Sequence, residues 1–554
     1  MAISPTYPGV YITETASIPH VVTPATTNLT AFVGEFPKGS VAAAVLVTSW
    51  SQFEMEFGPL SSTSSLAVYG VYQFFLNGGL GAWIVRVAPT ADPALASFVA
   101  EAAATASAVI APPQATAPAM EISANSPGAW GNGLSVQFVE SGPPSKPDQY
   151  HADLIVSPVV AGASPAAPSP PPLETITNIQ VLAQPGQPAL DPGHIAQIIS
   201  SQSNYVTALP APAASPPAPE AAQAQLGPNA IDGAWTAGGL WDAVVQAELT
   251  DGGRLTQIAP AVFNIMCMPD LAVADPGEAE SVFAAAHQFC SARQAFLLVD
   301  PPPPGSVSTL GIPVDNVGVG STGLTNLVNW ADSYLSPDHV AAATYYPWLQ
   351  IFDPVTAAPR FVPPSGTVAG IYASTDTARG VWKAPAGVEA GLGGVIALAD
   401  ATITDTVNGD LNVIGVNCLR TFPLYGSIVW GSRTLAGADI AGSSFKYVPV
   451  RRLADFIEQS LQQSLRWAVF EPNAGGLWSS ITLEATAFMA GLFAAGAFAG
   501  SSAAAAYSVV CDATTTSPND MLSGIVNVNV GFAPVDPAEF VMLNIQINAA
   551  SAAS

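Results

Sequence analysis

The chain has 554 residues, enough for roughly two to four domains with a large buried core. Apolar residues make up 49% of it and charged residues only 10%, which predicts extensive burial inside the chain or between subunits. The formal net charge of −26, with only 14 Lys and Arg, argues against nucleic-acid binding, because contacts to phosphates need basic residues.

Both ends of the chain show the period-two alternation of β-strands. Near the N-terminus Val10 and Ile12 alternate with Tyr11. Near the C-terminus the alternating apolar residues are Val541, Leu543, Ile545 and Ile547. An isolated strand leaves its N–H and C=O groups without hydrogen bonds, so each strand must have a partner. That partner could belong to the same domain, as is ordinary for terminal strands, or to another chain.

The regions 21–90 and 231–415 have the pattern of an α/β core. The predicted elements are strands at 29–34 and 82–88 around a helix at 65–79, strands ending at Asp270 and Asp300 around a helix at 278–288, and a helix at 324–335. Hydrophobic strands joined by helices favour a sheet that helices cover. Between the two regions, residues 91–230 are interrupted by Ala/Pro/Ser-rich tracts, which predicts an inserted β-rich domain with low-complexity linkers.

Two enzymatic or ligand-binding interpretations have some support. Asp270 and Asp300 follow neighbouring predicted strands, where α/β enzymes hold catalytic groups, so an α/β hydrolase-like enzyme is the alternative function. The string Gly318 to Gly323 matches GxGxxG, but prolines and early acids make a dinucleotide site a poor fit. His287 and Cys290 lack a second ligand pair, which argues against a metal site. Our prediction is no metal, no cofactor and no catalytic residue.

Two further observations concern compartment. The cysteines Cys267, Cys290, Cys418 and Cys511 are widely spaced and are predicted to be buried free thiols in a reducing compartment. The first twenty residues lack the features of a signal peptide.

Residues 485–510 carry no charge and are long enough to span a membrane, which is a third interpretation. Because the run is built from Ala, Gly and Ser, we expect instead a buried helix, a loop and a strand.

Basic residues are concentrated near the C-terminus. Six of the fourteen, Arg420, Arg433, Lys446, Arg451, Arg452 and Arg466, fall within 47 positions that hold only three acids. Residues 449–467 also form a predicted amphipathic helix, with Leu453, Phe456, Ile457, Leu461 and Leu465 on one stripe and Arg451, Asp455, Gln462 and Arg466 opposite. The basic residues are either six solvated side chains or a face that docks on an acidic partner.

Several motifs together resemble a known family. They include PGVYITE at the start, FFLNGGLGAWIVRV, VPPSGTVAGIYASTDTARGVWKAPAG, FKYVPVRRLADFIEQSLQQSLRWAVFEPN and the closing FVMLNIQI. In this order they resemble the tail sheath proteins of contractile phages and phage-tail-like injection systems. The stretch from Tyr345 to Asn473 carries the most specific part of the resemblance.

The resemblance implies a structural, non-enzymatic subunit. Family sheaths form stacked hexameric rings around an inner tube protein, end in baseplate and terminal cap proteins, and contract to drive the tube through a target envelope. Residues 1–20 and 536–554 would be linking arms that add strands to neighbouring subunits, with Val10, Tyr11 and Ile12 in the first. Residues 416–535 would be the C-terminal inner domain, with Arg451, Arg452, Asp455, Gln462 and Arg466 facing the tube.

The overall prediction is therefore a multidomain α/β fold. It consists of a helix-covered sheet, an inserted β-rich outer domain, a C-terminal α/β inner domain and extended terminal strands. The resemblance further implies assembly in the cytoplasm within a phage-tail-like particle, with later release left open. Neither nucleic acid nor direct membrane insertion is expected.

Overall fold

The computed structural model describes residues 21–89, 99–112, 119–141, 151–159, 171–181, 191–211, 223–226, 232, 234–235, 239–250, 253–257, 263–304, 321–400 and 403–540. The first elements are β1 (Leu29–Gly34), β2 (Val45–Val47), α1 (Trp50–Phe57), α2 (Leu66–Leu76) and β3 (Gly81–Arg86). The elements of the insertion are β4 (Val99–Glu101), β5 (Ser107–Ile110), β6 (Met120–Ala124), β7 (Leu134–Glu140), β8 (His151–Pro158), β9 (Glu174–Gln180), α3 (Pro192–Gln202), β10 (Val206–Pro210), β11 (Gln223–Gln225) and β12 (Ala234–Trp235).

The chain then returns to the core and continues into its C-terminal part. The core elements are α4 (Gly239–Ala243), β13 (Ile265–Cys267), α5 (Pro276–Ala292), β14 (Phe296–Val299), α6 (Thr322–Asp332), β15 (Ala342–Tyr346), β16 (Leu349–Asp353), β17 (Ala358–Val362), α7 (Ser365–Arg379), β18 (Val395–Leu398), α8 (Asp405–Val413), β19 (Asn417–Phe422) and β20 (Gly426–Val429). The last elements are α9 (Val448–Ser464), α10 (Gly475–Ala494), α11 (Ala503–Ala506), β21 (Tyr507–Val510), α12 (Pro518–Leu522) and β22 (Asn529–Phe532).

An eight-stranded sheet forms the centre of the core, in the order β2-β3-β1-β13-β14-β15-β19-β20. Its six inner strands pair in parallel, and the edge strands β2 and β20 pair antiparallel. Successive residues of β1 pack into different hydrophobic clusters, Ala31 and Val33 in one and Phe32 in the other. Both faces of the sheet are therefore buried, as the apolar runs predict. The predicted mixed α/β fold class is confirmed.

Helices α2 and α7 approach each other through glycine. A Cβ atom added to Gly366 would lie 2.3 Å from the carbonyl oxygen of Gly70, and one added to Gly370 would lie 2.6 Å from that of Phe74. No real Cβ atom sits so close to a backbone oxygen, so only glycine permits this helix spacing. The motif GTVAGIY in α7 thus serves packing against α2.

The insertion contains two main sheets, β10-β6-β5 and β11-β7-β8-β9. Alternating residues such as Leu154 and Val156 of β8 join Ile122 and Ile195 in one buried cluster. This alternation is the signal of strands with one buried face. The insertion therefore has a hydrophobic core of its own.

Two cations from the core lie at the junction with the insertion. The Arg86 guanidinium donates hydrogen bonds to the carbonyls of Phe36, Pro37 and Gly39 and to that of Pro127 in the insertion. The ammonium of Lys38 lies 5.2 Å from the ring centre of Trp130 and 4.7 Å from that of Tyr205. Burial lowers the pKa of both groups, that of Arg86 to about 10. Hydrogen bonds from the Arg86 guanidinium and cation–π contacts of the Lys38 ammonium thus join the core to the insertion.

The chain divides into two compact units. One contains Thr27–Arg379 and Lys383–Arg451, and the other contains Met1–Thr26, Gly380–Trp382 and Arg452–Ser554, of which 21–26, 380–382 and 452–540 are described. We call the second the C-terminal unit. Strand β19, which begins at Asn417, lies within the eight-stranded sheet. The division at Arg451 therefore differs from the predicted start of the inner domain at residue 416, because strand pairing joins the next segment to the core.

Candidate functional site

The predicted linking arms lie at the two ends of the chain. Their named residues, Val10, Tyr11, Ile12, Val541, Leu543, Ile545 and Ile547, are outside the described residues. Their pairing remains a prediction. The C-terminal unit contains a place where such strands could bind.

Strands β21 and β22 form a sheet of only two strands. They pair antiparallel, with Val509 opposite Val530, and no third strand joins them within the described residues. The Ala533 N–H donates to the Ala506 carbonyl at 2.8 Å. Along an antiparallel ladder, hydrogen-bonded pairs alternate with non-hydrogen-bonded pairs. Since Ala506 and Ala533 form a bonded pair, Val509 and Val530, three positions further along, form a non-bonded pair. Val509 therefore directs its N–H and C=O away from β22. At the same edge the Tyr507 N–H donates to the Ala503 carbonyl and the Cys511 carbonyl accepts from Thr482, so the backbone around Val509 is the part of this edge that could pair with another strand.

A groove of about 550 Å³ lies beside that edge, between α10 and β21. Its α10 wall includes Leu483, whose side chain is 71% exposed, and its β21 wall includes Val509 and Val510. Exposed apolar side chains next to an open strand edge are what an added strand needs, since backbone groups give affinity and side chains fill the groove. The arrangement makes this groove the candidate functional site.

Helix α10 buries only one of its faces. Leu477, Ile481, Ala485, Met489 and Leu492 are buried, and Leu483 and Gly491 lie on the exposed side. By length and composition it is the one helix among the described residues that could cross a membrane. The helix ends at Ala494 and β21 begins at Tyr507, so the continuous span over 485–510 of the third interpretation is wrong. The alternative expectation of helix, loop and strand is confirmed, except that the helix is not fully buried.

The predicted two-faced pattern of helix α9 holds for its apolar stripe but not for all of its polar residues. The apolar residues Leu453, Phe456 and Ile457 are buried as expected. However, Arg452 is only 4% exposed and Asp455 only 7%. The α9 N-terminal residues therefore do not form a solvated stripe, and the simple two-faced pattern is wrong there. Polar residues at helical spacing can equally be buried where other polar groups meet them.

The remaining residues of the predicted tube-facing set are placed differently from one another. Arg451 is half-buried, and its guanidinium carbon lies 4.6 Å from the ring centre of Phe445. Gln462, in the last turn of α9, and Arg466, just after the helix, are exposed. The structure thus separates the set into a buried group and an exposed pair.

Three other members of the basic cluster bind acids of the core. Arg420 donates to Asp405 at 2.7 Å, and Lys446 donates to Asp439 at 2.7 Å. Arg433 is only 1% exposed and donates to Asp439 and to the backbone carbonyls of Asn412 and Gly437. The hydrogen bond from Lys446 lowers the pKa of Asp439. The local excess of basic residues is therefore partly a structural network, which neither interpretation of the cluster anticipated.

The two acids of the hydrolase alternative each bind the start of a helix. Asp270 accepts hydrogen bonds from the backbone N–H of Ala67 at 2.9 Å and of Glu35 at 3.3 Å. Asp300 accepts from the N–H of Ser365 at 2.8 Å and from its hydroxyl. Helix N-termini attract carboxylates in this way.

Burial of these two acids shifts their protonation. It raises the pKa of Asp270 to about 6 and that of Asp300 to about 7. The shifts follow from loss of water around structural acids that start α2 and α7. Asp300 lines a cavity whose lining does not include Asp270. The hydrolase alternative therefore receives no support.

The cysteines, the possible metal ligands and the glycine string were the other candidates for chemistry. All four cysteines are free and buried, as expected. The ring of His287 lies beside that of His339, with ring centres 4.8 Å apart and a tilted geometry, and the described residues contain no group of three metal-ligating side chains. The glycine string ends at Gly323, at the start of α6, and most of it lies outside the described residues.

The sequence interpretation missed the groove residues. Leu483 lies in a helix that is apolar around most of its circumference, so periodicity did not single it out. Val509 and Val510 belong to a predicted strand, whose edge exposure cannot be read from alternation. Phe470 was also missed. It is fully exposed and has a φ of 71°, a conformation that bulky residues rarely adopt.

Comparison with known proteins identifies relatives of this chain. Residues 441–548 match the family described as phage tail sheath C-terminal domain. The chain is 29% identical to the tail sheath protein of Enterobacteria phage T4 over 236 residues, which cover 41% of this chain and 33% of that protein. It is 27% identical to a putative prophage major tail sheath protein of Pseudomonas aeruginosa strain UCBPP-PA14 over 197 residues, covering 35% of this chain and 48% of the relative. The matched segments thus span less than half of either curated relative.

Solved structures resemble the chain over nearly its whole length. A sheath complex of the extracellular contractile injection system PVC, in its contracted state, is 20% identical, with a TM-score of 0.56 and 98% of each chain covered. The sheath tail protein from Listeria innocua is 13% identical, with a TM-score of 0.59 and 94% of each chain covered. The chain therefore has the fold of a tail sheath protein, and the resemblance predicted from its motifs is confirmed.

Proposed function

We propose that this chain, which carries a phage tail sheath C-terminal domain, is the structural subunit of a contractile sheath. Its copies polymerise as stacked hexameric rings around an inner tube, and contraction drives the tube through a target envelope. The open β21 edge and its groove carry the proposal, because they offer a binding place for a strand from another copy. The names of the relatives describe structural proteins, in agreement with a non-enzymatic role.

Strand exchange would link the copies. A two-stranded sheet is at best marginally stable alone, so an added strand would stabilise β21 and β22. The terminal segments around Val10–Ile12 and Val541–Ile547 have the alternation that such strands need. A shared strand on a flexible lead keeps its backbone hydrogen bonds while subunits rotate. Rings could then change their packing without dissociating, as a switch between two arrangements requires.

The inner tube is the proposed partner of the exposed end of α9. Gln462 and Arg466 are exposed there, and we assign tube contact to these two residues first. Arg451, Arg452 and Asp455 would instead position the helix from within. A baseplate and a terminal cap complete the proposed particle, which would assemble in the cytoplasm.

Deletion of residues 1–14 tests the proposal. We expect the shortened chain to fold, with circular dichroism unchanged, and to form no cylinders by negative-stain microscopy. A matched variant, Ser4→Ala, lies ahead of the alternating strand residues, keeps the arm at full length and should still assemble. Contractile cylinders from the shortened chain would contradict the role of the N-terminal arm.

A further inference from the structure

A cavity of about 630 Å³ opens in the core at the carboxyl ends of β13 and β14. Its lining includes Met268, directly after β13, and Val299 and Asp300, at the end of β14. In open α/β sheets, ligands bind outside the carboxyl ends of the parallel strands. The volume lies in the range of small-molecule sites, roughly 300–1,000 Å³.

Aromatic side chains form one wall of the cavity. The ring centre of Tyr334 lies 4.9 Å from that of Phe283 and 5.0 Å from that of Trp330. All three residues are buried and line the cavity. Such a wall offers flat apolar surface to an aromatic or cyclic molecule.

Two buried polar groups lie in the same lining. The Asn326 side-chain nitrogen, on α6, is buried and has no hydrogen-bond partner in the described part of the protein. A buried donor without an acceptor is unfavourable, so this nitrogen marks a place where an acceptor would be stabilised. Asp300 accepts hydrogen bonds from Ser365 and, like any carboxyl, has further acceptor capacity.

Acidic groups also bias the charge of a ligand. Asp275 and Glu280, which are both exposed, line the cavity in addition to Asp300, and among the described residues no basic side chain belongs to the lining. An anion entering the cavity would lose its hydration without a basic group to pair with it, so an uncharged ligand is favoured. The sheath assembly proposed above uses none of these residues.

We infer that this cavity binds an uncharged aromatic molecule bearing a carboxamide or an equivalent acceptor and donor pair. The ligand oxygen accepts from Asn326, its N–H donates to Asp300, and its ring packs against Trp330 and Tyr334. The site is independent of the proposed sheath role.

A matched pair of probes tests this inference. 2-Naphthamide and 2-naphthoate have the same ring and nearly the same shape, but only the second is an anion. Each probe is titrated with the full chain, and binding is measured by ligand-observed NMR. We expect the amide to bind and the naphthoate to bind at least tenfold more weakly.

Variants then locate the binding. Asn326→Leu removes the donor and should weaken naphthamide binding about tenfold, the effect of one lost hydrogen bond to a neutral group. Ala279→Phe, in the cavity lining, should abolish binding by filling the space. Thr325→Leu is the control, because Thr325 is exposed on the same helix and does not line the cavity.

Three results would overturn the inference. They are the absence of naphthamide binding to the unaltered chain at the solubility limit of the probe, equal affinity for naphthoate, and unchanged affinity in Asn326→Leu. Since all measurements use the unassembled subunit, failure here would leave the sheath proposal untouched, and failure of cylinder assembly would leave this cavity untouched.

Discussion

The core and the C-terminal unit use apolar residues in different ways. In the core, successive residues of an inner strand are all buried, since Ala31, Phe32 and Val33 lie in clusters on opposite faces of the sheet. In the C-terminal unit, Leu483 is 71% exposed, Leu522 is 88% exposed and Phe470 is fully exposed. Single exposed apolar residues are common on protein surfaces, and of these three Leu483 lines the groove beside β21. The core also exposes apolar side chains, such as Leu424 at 81% and Ile440 at 99%, but both faces of its central sheet are covered, whereas the sheet of the C-terminal unit has only two strands within the described residues.

The largest expected effect on folding comes from a methyl group in the core. Gly366→Ala would place its Cβ 2.3 Å from the Gly70 carbonyl oxygen, so α2 and α7 must separate. We expect destabilisation by about 3 kcal/mol, measured from the urea midpoint of core unfolding.

The matched change in the C-terminal unit is Gly491→Ala. A Cβ there meets no atom within 4 Å, and alanine favours a helix, so we expect a gain of up to about 1 kcal/mol. Equal effects of the two substitutions would contradict the contrast between a closed and an open region.

Two arginines sharpen the comparison further. Arg433→Ala would remove the guanidinium donor of the Gly437 carbonyl and of Asp439 and should cost about 3 kcal/mol, because Arg433 is fully buried. Arg466→Ala, at an exposed position, should change stability by less than about 0.5 kcal/mol. Thermal unfolding of both variants checks the prediction. A large loss of stability in Arg466→Ala would show that this residue contributes to folding.

Buried acids make core stability depend on pH. The pKa of Asp300 is raised to about 7, so the folded chain binds its proton more tightly than the unfolded chain, in which an Asp has a pKa of about 3.9. Its contribution to stability is fully present below about pH 4 and is lost as the pH rises through 7.

Asp300→Asn cannot titrate and should lack this loss. Between pH 5 and pH 8 the stability difference between the two proteins should change by about 2 kcal/mol, as followed by urea unfolding at each pH. Parallel pH profiles would show that Asp300 does not retain its proton in the folded state.

The smallest effect on folding is expected for Leu483→Glu. Because Leu483 is mostly exposed, the variant should unfold within about 0.5 kcal/mol of the unaltered chain. A charge in the groove beside β21 should nevertheless prevent strand addition and cylinder formation. Leu522→Glu is the control, since Leu522 is exposed but does not line the groove. Normal cylinders from Leu483→Glu would show that the groove does not bind the added strand.

Much of the core could be predicted from local sequence. The apolar run at 29–34 coincides with β1, and the runs before Asp270 and Asp300 contain β13 and β14, because buried parallel strands need consecutive apolar residues. The order of strands could not be predicted. The pairing of β1 with β13 joins segments separated by the whole insertion, and no local pattern encodes it.

The candidate site was less predictable. Whether Asp455 on α9 meets solvent or other groups depends on tertiary contacts that periodicity does not contain. Clustering of basic residues likewise did not reveal that Arg433 binds backbone carbonyls inside the core. The groove requires the relative placement of α10 and β21, which are separated by a twelve-residue connection.

The Arg86 and Lys38 contacts have a mechanical consequence. Arg86 holds carbonyls of the core and of the insertion with one rigid guanidinium, and Lys38 lies against two aromatic rings of the insertion. A swivel of one part against the other would break both sets at once. We therefore expect the insertion to follow any rotation of the core as one rigid piece, so that the reorientation of a subunit extends to its inserted domain.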